Sequence, residues 1–177
     1  MADLKGVEIG RYKVLNKIGE GGIAVVYKAL DTHLETEVAI KFLELEKLSI
    51  SASEVIRKRF KMEAQKMAQL AHASIVRVTD FGEHQGTPYL VMPYMSGGSL
   101  RERMGKPMNW REALTILKPI SEALAYTHRK NLVHRDIKPS NILINDSGQP
   151  MLSDFGIVKI LESEETMDLT GTSMGMG

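Results

Sequence analysis

"HRDIKPSNIL", residues 134–143, is the stretch on which the reading of this chain turns. It sets Arg135 beside Asp136, then Lys138, Pro139 and Asn141, between the apolar runs Leu132-Val133 and Ile142-Leu143-Ile144. That is too much charge for a core strand, since a buried ion without a partner is strongly disfavoured. The chain nevertheless brings this segment between apolar stretches, and the reason has to be sought around it.

Immediately downstream, "NILINDSGQPMLSD" (141–154) reads as two short strands joined by an Asp-Ser-Gly turn. Such a hairpin brings Asn141 and Asp154 to the same end. One carboxylate and one amide oxygen form a hard-oxygen pair suited to Mg²⁺ with phosphates. Taken alone, Asp154-Phe155-Gly156 also reads as a simple turn.

Upstream, the period is helical from Asn109, an N-cap residue with Glu112 three places on, close to a capping box. Ala113, Leu114, Ile116, Leu117, Ile120, Ala123, Leu124 and Tyr126 cover half the circumference or more, and Pro119 is expected to bend the helix. So wide an apolar face calls for protein on several sides, a first hint of a fragment. Of the five His residues none has metal-ligand spacing, and His134 reads as a packed imidazole.

The first half reads mostly as strands: "RYKVLNKI" (11–18), "AVVYKAL" (24–30), "EVAIKFL" (37–43), "SIVRVTDF" (74–81) and "PYLVM" (88–92). Short connections suggest an antiparallel sheet. One helix interrupts them, roughly Ser53 to Ala71, with Ile56, Phe60, Met67 and Leu70 on one face. Glu63 falls on that face too, and Lys41 falls in a β-branched strand that reads as buried. Each charge lacks an evident partner, so the two are expected to pair, the alternative being a Glu63 at the edge of the stripe that reaches water. Between the first two strands, "IGEGGIAVVY" places Gly19, Gly21 and Gly22 in a turn. Glycines there permit positive φ and close approach of backbone N–H groups to phosphate oxygens, although a plain glycine-rich hairpin has the same look.

Composition bounds the classes. The 177 residues are 43% hydrophobic and 25% charged, the profile of a soluble globular protein. The net charge of +1 gives no global attraction to nucleic acid or an anionic membrane, so neither is expected as a partner. Without Cys there is no disulfide framework and no thiolate metal site. No secretory signal and no stretch near the ~18 apolar residues of a membrane span is present. A cytoplasmic domain is expected, with anchoring of a full-length protein left open.

In order along the chain, "GEGGIAVVY", "VAIK", Glu63, "LVMPY", "HRDIKPSN" and "DFG" resemble the eukaryotic-type protein kinase family in its bacterial Ser/Thr branch. The resemblance runs from about Arg11 to Gly177. It implies an α+β, two-lobe protein-kinase-like fold: residues 1–10 a tail, 11–95 an N-lobe with a five-stranded antiparallel sheet and one helix, and 96–177 an incomplete, mainly helical C-lobe. It implies ATP and Mg²⁺ as cofactors and Ser/Thr hydroxyls of proteins as acceptors.

Residue roles follow from the same resemblance. Ile18, Gly19, Glu20, Gly21, Gly22 and the backbone up to Val26 cover ATP. Lys41, held by Glu63, contacts the α and β phosphates. Asn141 and Asp154 carry the metal. Asp136 is the catalytic base, and Lys138 faces the transferring phosphate. Val26 and Ala39 roof the adenine pocket, Leu143 floors it, Met92 is its gatekeeper, and Pro93 and Met95 offer hinge backbone. Met67, Val78, Phe155 and His134 match a spine joining the lobes. Thr170 and Thr172 are candidate phosphorylation sites that Arg135 would engage. The charge of residues 134–143 thus lines a cleft whose partners are phosphates, metal and a phosphorylated loop.

Ala24 replaces the usual third loop glycine and Pro93 the usual hinge Glu, and neither change removes a catalytic group. The chain ends before the family's substrate-docking helices. The leading expectation is therefore a Ser/Thr protein kinase. A nucleotide-binding or interaction fragment without activity and a small-molecule phosphotransferase are the alternatives.

Overall fold

The computed structural model describes residues 3–22, 24–44, 50–105 and 107–155, excluding the side chains of 50–56 and 59. Strands β1 (Glu8–Ile9), β2 (Tyr12–Glu20), β3 (Ala24–Asp31), β4 (Thr36–Leu43), β5 (Asp80–His84) and β6 (Thr87–Pro93) form an antiparallel sheet in the order β1-β2-β3-β4-β6-β5. To the five expected strands the chain adds β1, a two-residue edge. Leu4 and Ile9, within the stretch the sequence marks as a tail, are buried against the sheet.

Strand alternation decides what faces the cleft. In β4, Val38, Ile40 and Phe42 pack on the outer face with Tyr12, Val25, Tyr27, Ala29 and Val91. Ala39 and Leu43, one residue out of phase, join the inner core. With a period of two, Lys41 shares the inner face with Ala39 and Leu43. Register completes the wall: Ala39 pairs with Met92 across β4–β6, and Val26 with Lys41 across β3–β4.

Helix α1 (Ile50–Ala68) lies against the inner side through Phe60, Ala64 and Met67, all buried. It begins and ends about three residues earlier than the sequence suggests. The expected strand over 74–81 forms only from Asp80. Its first half pairs elsewhere: the Val76 N–H donates to the Leu152 carbonyl (2.9 Å), and the Leu152 N–H donates to that of Ser74 (2.9 Å). Ile75, Val76 and Val78 are apolar because they are wedged into the inner core.

The second half holds α2 (Leu100–Arg103), α3 (Trp110–Arg129), a 3₁₀ turn (Pro139–Asn141) and the expected hairpin β7 (Ile142–Ile144) with β8 (Pro150–Leu152). A capping box that the sequence reading does not anticipate joins Ser99 and Glu102 at α2. At α3 the Asn109 side chain accepts the Arg111 N–H at 2.9 Å, and the helix continues through Pro119. Only its Ile120, Ala123 and Thr127 stripe is fully buried, while Trp110, Leu114 and Leu117 are more than half exposed. Gly97 sits so close to β7 that a Cβ there would lie 2.7 Å from the Ile144 carbonyl oxygen.

Candidate active site

The site gathers where the β7–β8 hairpin meets the inner face of the sheet. The 3₁₀ turn, opened by Pro139, delivers Asn141 directly into β7. Opposite it, the Ser153 N–H and hydroxyl both donate to the Asn141 carbonyl (2.9 and 3.1 Å). Asp154 follows with φ 57°, a left-handed conformation rarely adopted outside glycine. Asn141 and Asp154 therefore lie at the same end of the hairpin, as expected.

Asp136 is held by its neighbours. The Asn141 amide donates to its backbone carbonyl (2.8 Å) and to its carboxylate Oδ2 (3.0 Å), and Lys138 Nζ lies 2.8 Å from the same oxygen. Arg135, just before it, is exposed and also left-handed, with φ 64°. His134 is fully buried beneath this loop. Its Nδ1 accepts the Asp136 N–H (3.3 Å), so Nε2 carries the proton and donates to the Ser153 carbonyl (2.8 Å). Its ring lies 4.6 Å from that of Phe155. Burial pushes the imidazole below its ordinary pKa of 6.5, and the Ser153 carbonyl opposes that only in part. His134 is a neutral strut joining the two acidic segments.

The expected Lys41–Glu63 pair is not what the structure contains. Lys41 donates to Asp154 Oδ1 at 2.5 Å, with side-chain exposures of 16% and 32%. Glu63 accepts from Lys66, one turn further along α1, at 2.6 Å. The cause is proximity: i,i+3 partners meet within any helix, and Asp154 reaches the cleft from β8. Both residues keep their expected surroundings, since Lys41 is on the inner face and the Glu63 side chain is only 16% exposed.

The loop between β2 and β3 departs from expectation in one respect. None of Gly19, Gly21 and Gly22 has positive φ. The Gly21 N–H donates to the Ala24 carbonyl (2.8 Å), and a Cβ on Gly22 would meet nothing within 4 Å. Their contribution here is open space rather than an unusual dihedral. Ile18 is exposed, and Lys17 bonds Glu20 at 2.6 Å.

Below the loop, Ala39 and Met92 are buried, with Val26, Met95 and Leu143 packed beside them in the same apolar cluster. Pro93 ends β6, and the Met95 N–H meets no acceptor among the described residues. Met67, Val78 and Phe155 share the buried core, with His134 against Phe155.

The donor set fits a hard divalent cation. With its N–H groups on Asp136, Asn141 presents its amide oxygen as an acceptor, and Asp154 supplies a carboxylate. Sequence reasoning missed Ser153, whose carbonyl and hydroxyl tie His134 to Asn141, and Lys66; only the spacing from Glu63 signalled the latter. Gly156, Thr170 and Thr172 lie outside the described residues, so the phosphorylation sites rest on the resemblance alone.

A protein kinase domain matches residues 12–176. The chain belongs to the protein kinase family. Among its relatives, it is 43% identical over 168 residues to the serine/threonine-protein kinase PrkC of Bacillus subtilis, covering 94% of this chain and 25% of that protein. It is 41% identical over 168 residues to the probable serine/threonine-protein kinase pknA2 of Bifidobacterium longum, covering 94% and 22%. The fold superposes on the PknI kinase domain of Mycobacterium tuberculosis with a TM-score of 0.71 at 30% identity, over 86% of this chain and 61% of that one. It superposes on the apo form of PpkA-294 with a TM-score of 0.79 at 26% identity, over 93% and 65%. The chain thus spans about a quarter of the length of these two curated relatives. Among the described residues no helix is long and apolar enough to cross a membrane.

Proposed function

We propose that this chain is the nucleotide-binding and catalytic-loop part of a serine/threonine protein kinase that transfers the ATP γ-phosphate to protein hydroxyls. The observation that carries the reading is the convergence of Lys41, Asp136, Lys138, Asn141 and Asp154 at one end of the β7–β8 hairpin. Phosphoryl transfer demands positioning and charge neutralisation more than covalent chemistry, and these side chains supply both. The serine/threonine-protein kinases among its relatives support the acceptor class.

In this reading the apolar cluster of Val26, Ala39, Met92 and Leu143 forms the surface that takes the adenine, with Pro93 and Met95 offering backbone groups to its edge. Ile18, Gly19, Glu20, Gly21 and Gly22 cover the phosphates. Asp154 and Asn141 hold Mg²⁺, which supplies charge neutralisation at the phosphate oxygens. Lys41 exchanges Asp154 for phosphate and is positioned by Glu63. Asp136, fixed by Asn141, accepts the substrate hydroxyl proton at its carboxylate. Lys138, already on Asp136, moves onto the transferring phosphate. ATP supply places such a domain in the cytoplasm.

The test separates two carboxylates in the full-length protein. Asp154→Asn abolishes Mg²⁺-dependent nucleotide binding, measured by calorimetry. Asp136→Asn leaves that binding intact and removes transfer to a Ser/Thr peptide. Equal loss of nucleotide binding in both variants refutes the assignment.

A further inference from the structure

Glu63 occupies the packed face of α1, flanked by buried Phe60, Ala64 and Met67, yet its partner comes from the solvent side. Lys66, 56% exposed at the side chain, reaches back one turn to Glu63 Oε1 at 2.6 Å. Lys41 meanwhile is engaged by Asp154. Resting on the reading above, in which Lys41 works while held by Glu63, we propose that Lys66 is a positioning residue that competes with Lys41 for Glu63 and sets how readily the productive pair forms.

The competition is unequal in kind. The Glu63–Lys66 contact is internal to one helix, so it forms wherever α1 sits and orders only two side chains. A Lys41–Glu63 contact is tertiary, so it depends on how α1 sits against β4, and it has to draw Lys41 towards Glu63 while Asp154 holds one of its N–H groups. Lys66 also lowers the net charge that Glu63 presents to Lys41. Both effects favour the arrangement observed. Removing the Lys66 charge weakens the rival without touching Lys41, Glu63 or Asp154. Helical ion pairs of this spacing shift equilibria by roughly 1.4- to 2.3-fold, which fixes the size of the effect.

The experiment is a double-mutant cycle in the full-length protein, following kcat/KM for ATP at a saturating Ser/Thr peptide. Lys66→Met raises kcat/KM by roughly 1.4- to 2.3-fold, and Lys66→Arg keeps the wild-type value. In a Glu63→Gln background, itself impaired, Lys66→Met changes nothing. A merely structural Lys66 would give the same change in both backgrounds. That outcome, or an unchanged or lowered kcat/KM in Lys66→Met, overturns the proposal. An unimpaired Glu63→Gln enzyme instead overturns the underlying Lys41–Glu63 reading, so the two failures are distinguishable.

Discussion

Replacing His134 by Phe keeps a ring of similar size against Phe155 but removes both hydrogen bonds that the imidazole makes. The Ser153 carbonyl loses a donor at 2.8 Å in a fully buried setting, and the Asp136 N–H loses a longer contact at 3.3 Å. An unsatisfied buried carbonyl costs about 1–3 kcal/mol, and the weaker contact adds less, so the expected loss is about 2–3 kcal/mol at pH 7.5. With a urea m-value of about 2 kcal/mol/M, the midpoint falls by about 1–1.5 M at unchanged m. The gap also depends on pH. The folded pKa of His134 lies below 6.5, so the unfolded state binds more protons between the two values. Its contribution is therefore complete above 6.5 and is lost as pH falls from there towards the folded value. The Phe variant lacks this loss, so the gap between the proteins narrows from pH 7.5 to 5.5, by at most about 1.4 kcal/mol. Urea unfolding followed by far-ultraviolet circular dichroism at both pH values measures it. A midpoint shift below about 0.3 M, or a gap that widens on acidification, refutes the view of His134 as a neutral strut.

Two other substitutions probe the cleft and the seam. Lys41→Met in the full-length protein lowers phosphoryl transfer by about 10²–10³-fold with a smaller loss of ATP binding, read by steady-state kinetics beside calorimetry; near-normal turnover contradicts the role given to Lys41. Gly97→Ala forces a Cβ to within 2.7 Å of the Ile144 carbonyl and costs about 1–3 kcal/mol in urea unfolding, whereas Gly105→Ala, with nothing within 4 Å, does not.

What the sequence disclosed follows the range of the forces involved. The strand "EVAIKFL" is legible from its composition, and its parity, a local property, sets Lys41 on the inner face with Ala39 and Leu43. The turn of "NDSG" placed Asn141 near Asp154 because a hairpin closes on itself, and the Asn109 cap was legible for the same reason. Features fixed between distant segments were not legible. Ile75, Val76 and Val78 carry a strand's composition, but their burial comes from the wedge between α1, the sheet and β8, and the backbone bonds of this stretch go to Leu152. The pairing of Lys41 with Glu63 was inferred from two apparently solitary charges. The i,i+3 spacing of Lys66 marks a nearer partner for Glu63, whereas nothing in the pattern shows that Asp154 lies nearer to Lys41.

The depth at which each group sits explains how "HRDIKPSNIL" carries its charge. At the bottom are neutral polar groups, His134 at 0% exposure and Asn141 at 5%, each donating its side-chain N–H within the protein. Above them the ions are partly exposed, with the Asp136 side chain at 19% and Lys138 at 51%. A fully buried ion pair is hard to open, because separating it leaves a charge stranded in a low dielectric. A pair at the rim exchanges partners cheaply, because water and arriving ions take over at once. In the proposed reading, Lys41 with Asp154 and Lys138 with Asp136 are stable enough to hold the cleft in shape and weak enough to yield to phosphate and metal. The neutral struts beneath do not exchange, so the geometry of Asp136 survives while the charges around it change hands.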